Sequence, residues 1–154
     1  MKLTKNIATL IGTFFYVGYL PLIPGTFGSF AGLVLFYFIR DRVLLHILIT
    51  IVLLILGFLT CGKIERSANI NDPRFVVIDE VSGQFISLLF MPFYDARVFI
   101  AAFLVFRLLD TLKPYPANKL EKLKGSLGIM GDDIVAGLYT NIVIQVVFRI
   151  TSLA

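Results

Sequence analysis

The sequence is short of charge, holds one cysteine and one histidine, and has no tryptophan. Only 16% of its residues are charged and 58% are hydrophobic, with a mean hydropathy of +0.90; a soluble domain is about a quarter charged. That excludes a surface made for water alone and makes lipid the expected solvent for much of the chain. A lone Cys61 excludes an intrachain disulfide and any cysteine-built metal cluster. Arg66 follows it five residues on, one short of the loop a cysteine-dependent phosphatase needs, so Cys61 reads as a small buried hydrophobe. His46, the sole histidine, falls in the middle of an apolar run and reads as a packed polar side chain, not a phosphate-carrying nucleophile. The glycine signatures G-x-x-x-x-G-K-[ST] and G-x-G-x-x-G are missing, which leaves a nucleotide-driven reaction without its usual cradle. No basic stripe with interleaved aromatics is present, so no nucleic-acid partner is expected. The net charge of +4 reads instead as attraction to anionic lipid.

What is present is a series of apolar stretches. The 154 residues suffice for one domain, taken as 1–154. Residues 7–20 are apolar and end in PLIPGTFGS; 27–39 are apolar and end at RDR. Residues 43–60 form an 18-residue run interrupted by His46, long enough for a transmembrane helix. Residues 62–79 are polar and mixed in charge, a loop or a surface helix. The 81–106 stretch is apolar but split by MPFYDAR, 107–133 carries most of the remaining charge, and 134–150 reads as a last apolar helix. Since 43–60 does not alternate as a barrel strand would, the expectation is all-α: a compact multi-helix integral membrane bundle with short helical hairpins. Lys2 and Lys5 before an apolar run resemble the start of a signal peptide. Pro21 and Pro24 break that run before the small-residue site SFAG, so no cleavage is expected.

Ten of the fourteen lysines and arginines fall in the N-terminus, 62–79 and 107–133, and the positive-inside rule places all three on the cytoplasmic side. The 81–106 stretch must then leave that face and return to it. One continuous span would hold Asp95 and Arg97 in lipid at about 2.5–3.5 kcal/mol each. Two short helices joined by a turn at 92–95 are therefore expected, each about 15 Å long.

Acids gather at the edges of these stretches. Asp79 and Glu80 stand in VVIDEVSGQ, Asp110 in FRLLDTLKPYP, and Asp132 and Asp133 in GDDIVAG. One acid at a helix start is explained by the helix dipole, worth about 0.3–1 kcal/mol; a doubled acid repels itself and is not. Convergence of the three groups makes a site at the cytoplasmic membrane surface, and acids in such places are usually functional. Hard cations such as Mg2+ take oxygen ligands, commonly one or two carboxylates with phosphate oxygens and water, so the pattern points to a divalent cation together with a phosphate. Arg107 and Asp110 lie three apart on one helix face, the guanidinium suited to phosphate oxygens and the carboxylate to the cation. Lys113 adds a positive charge one turn on, before Pro114 and Pro116 end the helix.

Gly83, four residues after Asp79, and Gly137, four after Asp133, leave room for a neighbouring backbone beside each acid. In PGTFGS, Gly25 and Gly28 permit a tight turn, Thr26 and Ser29 offer hydroxyls, and the start of the next helix offers N–H groups to a phosphate. A plain turn between two apolar segments explains that stretch equally well. Together these groups describe metal-assisted hydrolysis of a phosphate, with a carboxylate taking the proton and Arg107 and Lys113 offsetting charge on the phosphoryl group.

Four motifs, PGTFGS, VIDEVSGQ, FRLLDTLKPYP and GSLGIMGDDIVAG, in that order and at these spacings, closely resemble the phosphatidylglycerophosphatase A family. Tyr115 and Phe85 stand where that family often has tryptophan. The resemblance implies an all-helical, Mg2+-dependent enzyme of the bacterial inner membrane. It implies phosphatidylglycerophosphate as the lipid substrate, hydrolysed to phosphatidylglycerol and phosphate. It also implies acidic positions at Asp79, Glu80, Asp110, Asp132 and Asp133, and phosphate-side positions at Arg107 and Lys113. On this reading metal ligands come from Asp79, Glu80, Asp132 and Asp133, and Asp110 is a ligand or general base. Thr26, Ser29, Gln84, Arg107 and Lys113 bind substrate. Two readings from other classes use the same residues. One is a small divalent-cation channel or carrier with the carboxylates as its coordination site, although these acids sit at span edges. The other is a non-catalytic membrane subunit that binds anionic lipid.

Overall fold

The computed structural model describes residues 2–91 and 95–151. Its helices are α1 (Lys2–Gly12), α2 (Pro24–Ile39), α3 (Val43–Ala68), α4 (Ile78–Ser87), α5 (Ala96–Leu112), α6 (Ala117–Leu120) and α7 (Ser126–Thr151), with a 3-10 turn at Val17–Tyr19. Every regular element among the described residues is helical, as the non-alternating apolar runs require.

Local chemistry sets most boundaries. Pro24 opens α2, where no N–H is needed. α3 ends at Asn69, in the left-handed conformation (φ 55°) that asparagine tolerates. Asp95 caps α5, its Oδ1 accepting the Val98 N–H at 2.9 Å. The same helix stops at Lys113, φ 46°, just before Pro114. α3 continues past Thr60 to Ala68, so the first part of the polar 62–79 segment is helix, one of the two forms expected of it. One boundary differs from expectation. α7 begins at Ser126 rather than at 134, which puts Asp132 and Asp133 inside it and rules out helix capping as their explanation. The cause is tertiary: Ser126 Oγ donates to Phe58 O at 2.7 Å and accepts the Gly62 N–H at 2.8 Å, pinning the first turn of α7 to α3.

The bundle is apolar outside as well as in its core, and most of its buried polar groups lie on the inward faces. On α3, Leu44, Leu48, Ile51, Ile55 and Leu59 form an exposed stripe, while His46, Thr50, Leu53, Gly57, Cys61 and Ile64 face inward. α5 turns Ile100, Leu104 and Leu108 outward and buries Val98, Ala102 and Phe106. α7 exposes Leu138, Ile142 and Val146 and buries Asp133, Thr140 and Ile144. A bundle standing in water carries polar side chains on its outer faces. Two helices, Val43–Ala68 and Ser126–Ile150, are long and apolar enough to cross a membrane, and the apolar belt around them is a surface for lipid.

α4 is the element that positions the site. It runs beside α7 in the same direction, so that Asp79 meets Asp133 and Gly83 meets Gly137. The two glycines make this approach possible. A Cβ on Gly83 would lie 2.8 Å from Asp133 O, and one on Gly137 would lie 3.1 Å from Ile86 Cβ. α4 has ten residues, about 15 Å, and its last carbonyls end inside the bundle, where donors must be found. His46 Nε2 lies 2.9 Å from Phe85 O, and a carbonyl accepts only, so that nitrogen donates. Asn141 Nδ2 donates to Ser87 O at 3.2 Å and Leu89 O at 2.7 Å, and Gln145 Nε2 braces Asn141 Oδ1 at 2.8 Å. His46 is thus a packed polar residue that closes the inner end of α4. The 81–106 stretch is two helices, not one span; residues 92–94 of the expected turn lie outside the described residues. The second arm is longer than expected, since α5 has 17 residues, about 25 Å.

Candidate active site

The start of α2, the 69–77 segment, the first turn of α4, the end of α5 and the second turn of α7 enclose a cavity of about 290 Å³. One part of the lining is acidic, with an unpartnered oxygen on each carboxyl. Asp79, Glu80 and Asp133 each contribute a carboxylate oxygen, all within 4.8 Å of one another. Asp79 and Asp133 are only 6% and 3% exposed. Asp79 Oδ1, Glu80 Oε2 and Asp133 Oδ1 are buried with no hydrogen-bond partner, and so is Asp132 Oδ1. Buried charge without a partner is strongly unfavourable, so these carboxyls are held neutral or are met by a cation. Burial pushes Asp79 well above the usual carboxylate range, and the charges of Glu80 and Asp133 push it further. Burial raises Glu80 to about 7, against the lowering effect of its hydrogen bond with Asp79. Oxygen donors only, converging and unsatisfied, are a set that a hard metal ion fits.

The other part is paired. Arg107 Nη1 donates to Asp110 Oδ2 at 2.6 Å and to Ser29 Oγ at 3.3 Å. The i, i+3 placement of Arg107 and Asp110 thus makes an ion pair. Lys113 Nζ donates to Asp132 Oδ2 at 2.7 Å and lies 3.1 Å from Glu121 Oε1. Burial alone lowers the affinity of the Lys113 amine for its proton, but the hydrogen bonds to Asp132 and Glu121 outweigh it and hold the ammonium above its ordinary value. Two fixed cations thereby border the cavity, each oriented by a carboxylate.

The structure brings Asp79, Glu80, Asp110, Asp132, Asp133, Thr26, Arg107 and Lys113 to the cavity. Ser29 lies behind it, donating to Gly25 O at 3.0 Å and accepting from Arg107, so it orients the guanidinium. Gln84 is not brought there: it is fully buried further along α4, where its Nε2 donates to Ser87 Oγ at 3.1 Å. PGTFGS is the opening of α2 rather than a turn. Its glycines serve close approach, since a Cβ on Gly28 would lie 2.8 Å from Val77 Cβ and one on Gly25 would strike the Glu80 carboxylate. Sequence reasoning missed Asp72 and Arg74, which line the cavity from the 69–77 segment. The available signal was NDPR, two charges around a proline turn just before an apolar run.

An all-helical bundle with a lipid-suited belt, opening at one end onto bare carboxylates and two oriented cations, defines a membrane protein built to handle an anionic, oxygen-rich group. The family is narrower. The model of the family described as phosphatidylglycerophosphatase A matches residues 10–148, and the chain belongs to that family. It is a phosphatase family, so the chain is an enzyme. A protein of Bacteroides thetaiotaomicron, provisionally named a phosphatidylinositol-3-phosphatase, is 38% identical over 95% of this chain and 96% of its own length. Proteins named phosphatidylglycerophosphatase A from Haemophilus influenzae and Escherichia coli are 35% and 33% identical. They cover 90% and 84% of this chain, and 87% and 76% of their own lengths. No solved structure matches the chain.

Proposed function

We propose that the chain hydrolyses the terminal phosphomonoester of phosphatidylglycerophosphate to phosphatidylglycerol and phosphate. We place it as a single multi-pass domain of a bacterial inner membrane, its cavity on the cytoplasmic side where most of the lysines and arginines lie. One observation supports the chemistry above all: buried carboxylate oxygens without partners face a guanidinium and an ammonium across one cavity. Asp79, Glu80 and Asp133 would hold Mg2+, and Asp132 has Oδ1 left for the same ion. When bound, the ion supplies neutralisation of phosphoryl charge and a more acidic water. Arg107 and Lys113 bind phosphate oxygens in orientations fixed by Asp110 and Asp132. Thr26 and the N–H groups of the first turn of α2 take a further oxygen. Water attacks phosphorus, the ester P–O bond breaks, and the proton taken from water is passed to the departing lipid oxygen, which leaves as the alcohol. Asp110 is the proposed acceptor of the proton from water, because it stands between Arg107 and Asp133 without being one of the three clustered carboxylates.

A phosphoinositide is the second reading, favoured by the name of the Bacteroides relative. The reacting groups of the cavity serve either phosphomonoester. Phosphate release from the purified chain is the test, with and without Mg2+, on phosphatidylglycerophosphate, phosphatidylinositol 3-phosphate and phosphatidic acid. The expected result is Mg2+-dependent release that is fastest from phosphatidylglycerophosphate. Preference for phosphatidylinositol 3-phosphate would favour the second reading, and no release from any lipid phosphate would sink both.

A further inference from the structure

Leu22 is 94% exposed, more than any other large apolar side chain described, yet it lines the acidic cavity together with the exposed Ile23. Its backbone is left-handed, φ 78°, a conformation that is unfavourable by about 1–2 kcal/mol for a residue with a Cβ and that glycine would relieve. The stretch before it is held to the protein. Tyr19 stacks on Phe75 with ring centroids 5.5 Å apart, and the Val77 N–H donates to Gly12 O at 2.9 Å. The segment is thereby fastened to the 69–77 stretch that carries Asp72 and Arg74. Phe15, Tyr16, Tyr19 and Leu20 extend the exposed apolar surface away from the cavity. Phenylalanine and leucine with two tyrosines form a surface suited to the membrane–water boundary. An amphiphile whose phosphate lies among the charged groups must pass its glycerol and chains over the rim, and Leu22 and Ile23 supply an apolar stretch of that rim.

We propose that Leu22 and Ile23 form a lip inserted in the bilayer, which seats the acylglycerol part of the lipid phosphate and so restricts the enzyme to membrane-presented substrate. The specificity half of this proposal rests on the phosphatase reading above; the insertion half does not. Because the chain has no tryptophan, Leu22→Trp introduces a single indole at an exposed position where it disturbs no packing. In vesicles with acyl chains brominated near the carbonyl end, its emission is expected to be blue-shifted and quenched. Water-like emission without quenching would overturn insertion. Leu22→Gln, which adds no charge beside the phosphate, is expected to lower kcat/KM on vesicle-borne phosphatidylglycerophosphate by about ten- to a hundredfold, the scale of losing one buried leucine. The loss should fall in KM and be several times smaller on the water-soluble deacylated headgroup phosphate, which has no chains for the lip to seat. Equal loss on both substrates, or none on either, would overturn the specificity role. A wild-type chain that hydrolyses neither substrate would defeat the phosphatase reading, while the quenching result would still decide insertion.

Discussion

Asp132 and Asp133 are adjacent in sequence and opposite in circumstance. Asp132 gives one oxygen to Lys113 at 2.7 Å. Asp133, about 100° further round the helix, turns to Asp79 and Glu80, where no cationic side chain answers it. The lining of the cavity repeats the contrast: in one part carboxyls meet only other carboxyls and each keeps an oxygen without a partner, and in the other carboxylates are each engaged with a cation. A buried charge left without a partner is tolerated where another charge is meant to arrive. The unpartnered part therefore marks the place of a cation and the paired part the place of an anion, and a phosphate ester brought in with a metal satisfies both.

Removing a carboxylate from the unpartnered part should have the largest effect. Asp133→Asn is expected to reduce Mg2+-dependent phosphate release by at least about a hundredfold, since even outer partners of a metal site are worth ten- to a hundredfold. The variant should still insert. Unchanged turnover would remove Asp133 from the site. Breaking the paired part should have a smaller effect. Lys113→Met loses a charged hydrogen bond to substrate, worth about 1.5–3 kcal/mol, and frees Asp132. Steady-state kinetics should show kcat/KM down by about ten- to a hundredfold with Mg2+ affinity retained. A variant that loses Mg2+ binding instead would erase the distinction between the two parts.

The smallest effect expected is on stability. Glu80 has a folded-state pKa of about 7, raised from 4.5 chiefly by burial. A carboxyl raised on folding stabilises the fold below its unfolded value, and that contribution is lost as pH climbs through the folded value. In metal-free detergent the wild-type unfolding temperature should therefore fall as pH rises from about 4.5 through about 7. Glu80→Gln should make the fall shallower, and Mg2+ should restore the wild type at the high end. Identical slopes in the two proteins would separate Glu80 from the unpaired cluster.

Much of this arrangement was legible in the sequence because it obeys local rules. Arg107 and Asp110 are one helical turn apart and pair as that spacing dictates. Gly83 and Gly137 each stand four residues beyond an acid, and the helices bearing them do meet there. What was not legible depends on distant partners. Hydropathy sets the last helix at 134, but Ser126 fixes its start through contacts with Phe58 and Gly62. Gln84 follows Glu80 by four residues and invited a place at the site, yet its amide binds Ser87 inside the bundle. Asp72 and Arg74 sit in an irregular segment with no period to aim them, so only the packing of 69–77 onto α4 and α2 reveals their direction.

The amide and imidazole donors at the inner end of α4 also set a height. Asp79 and Glu80 stand five to eight residues before the clasped carbonyls of Phe85 and Ser87, a strut of about 8–12 Å. α3 and α7 present their long outer flanks to hydrocarbon and can tilt when it thickens or thins. α4 is held at its base by His46 and Asn141, inside the bundle. Those donors belong to α3 and α7 themselves, so the elevation of the carboxylates is referred to the two long helices and moves with them.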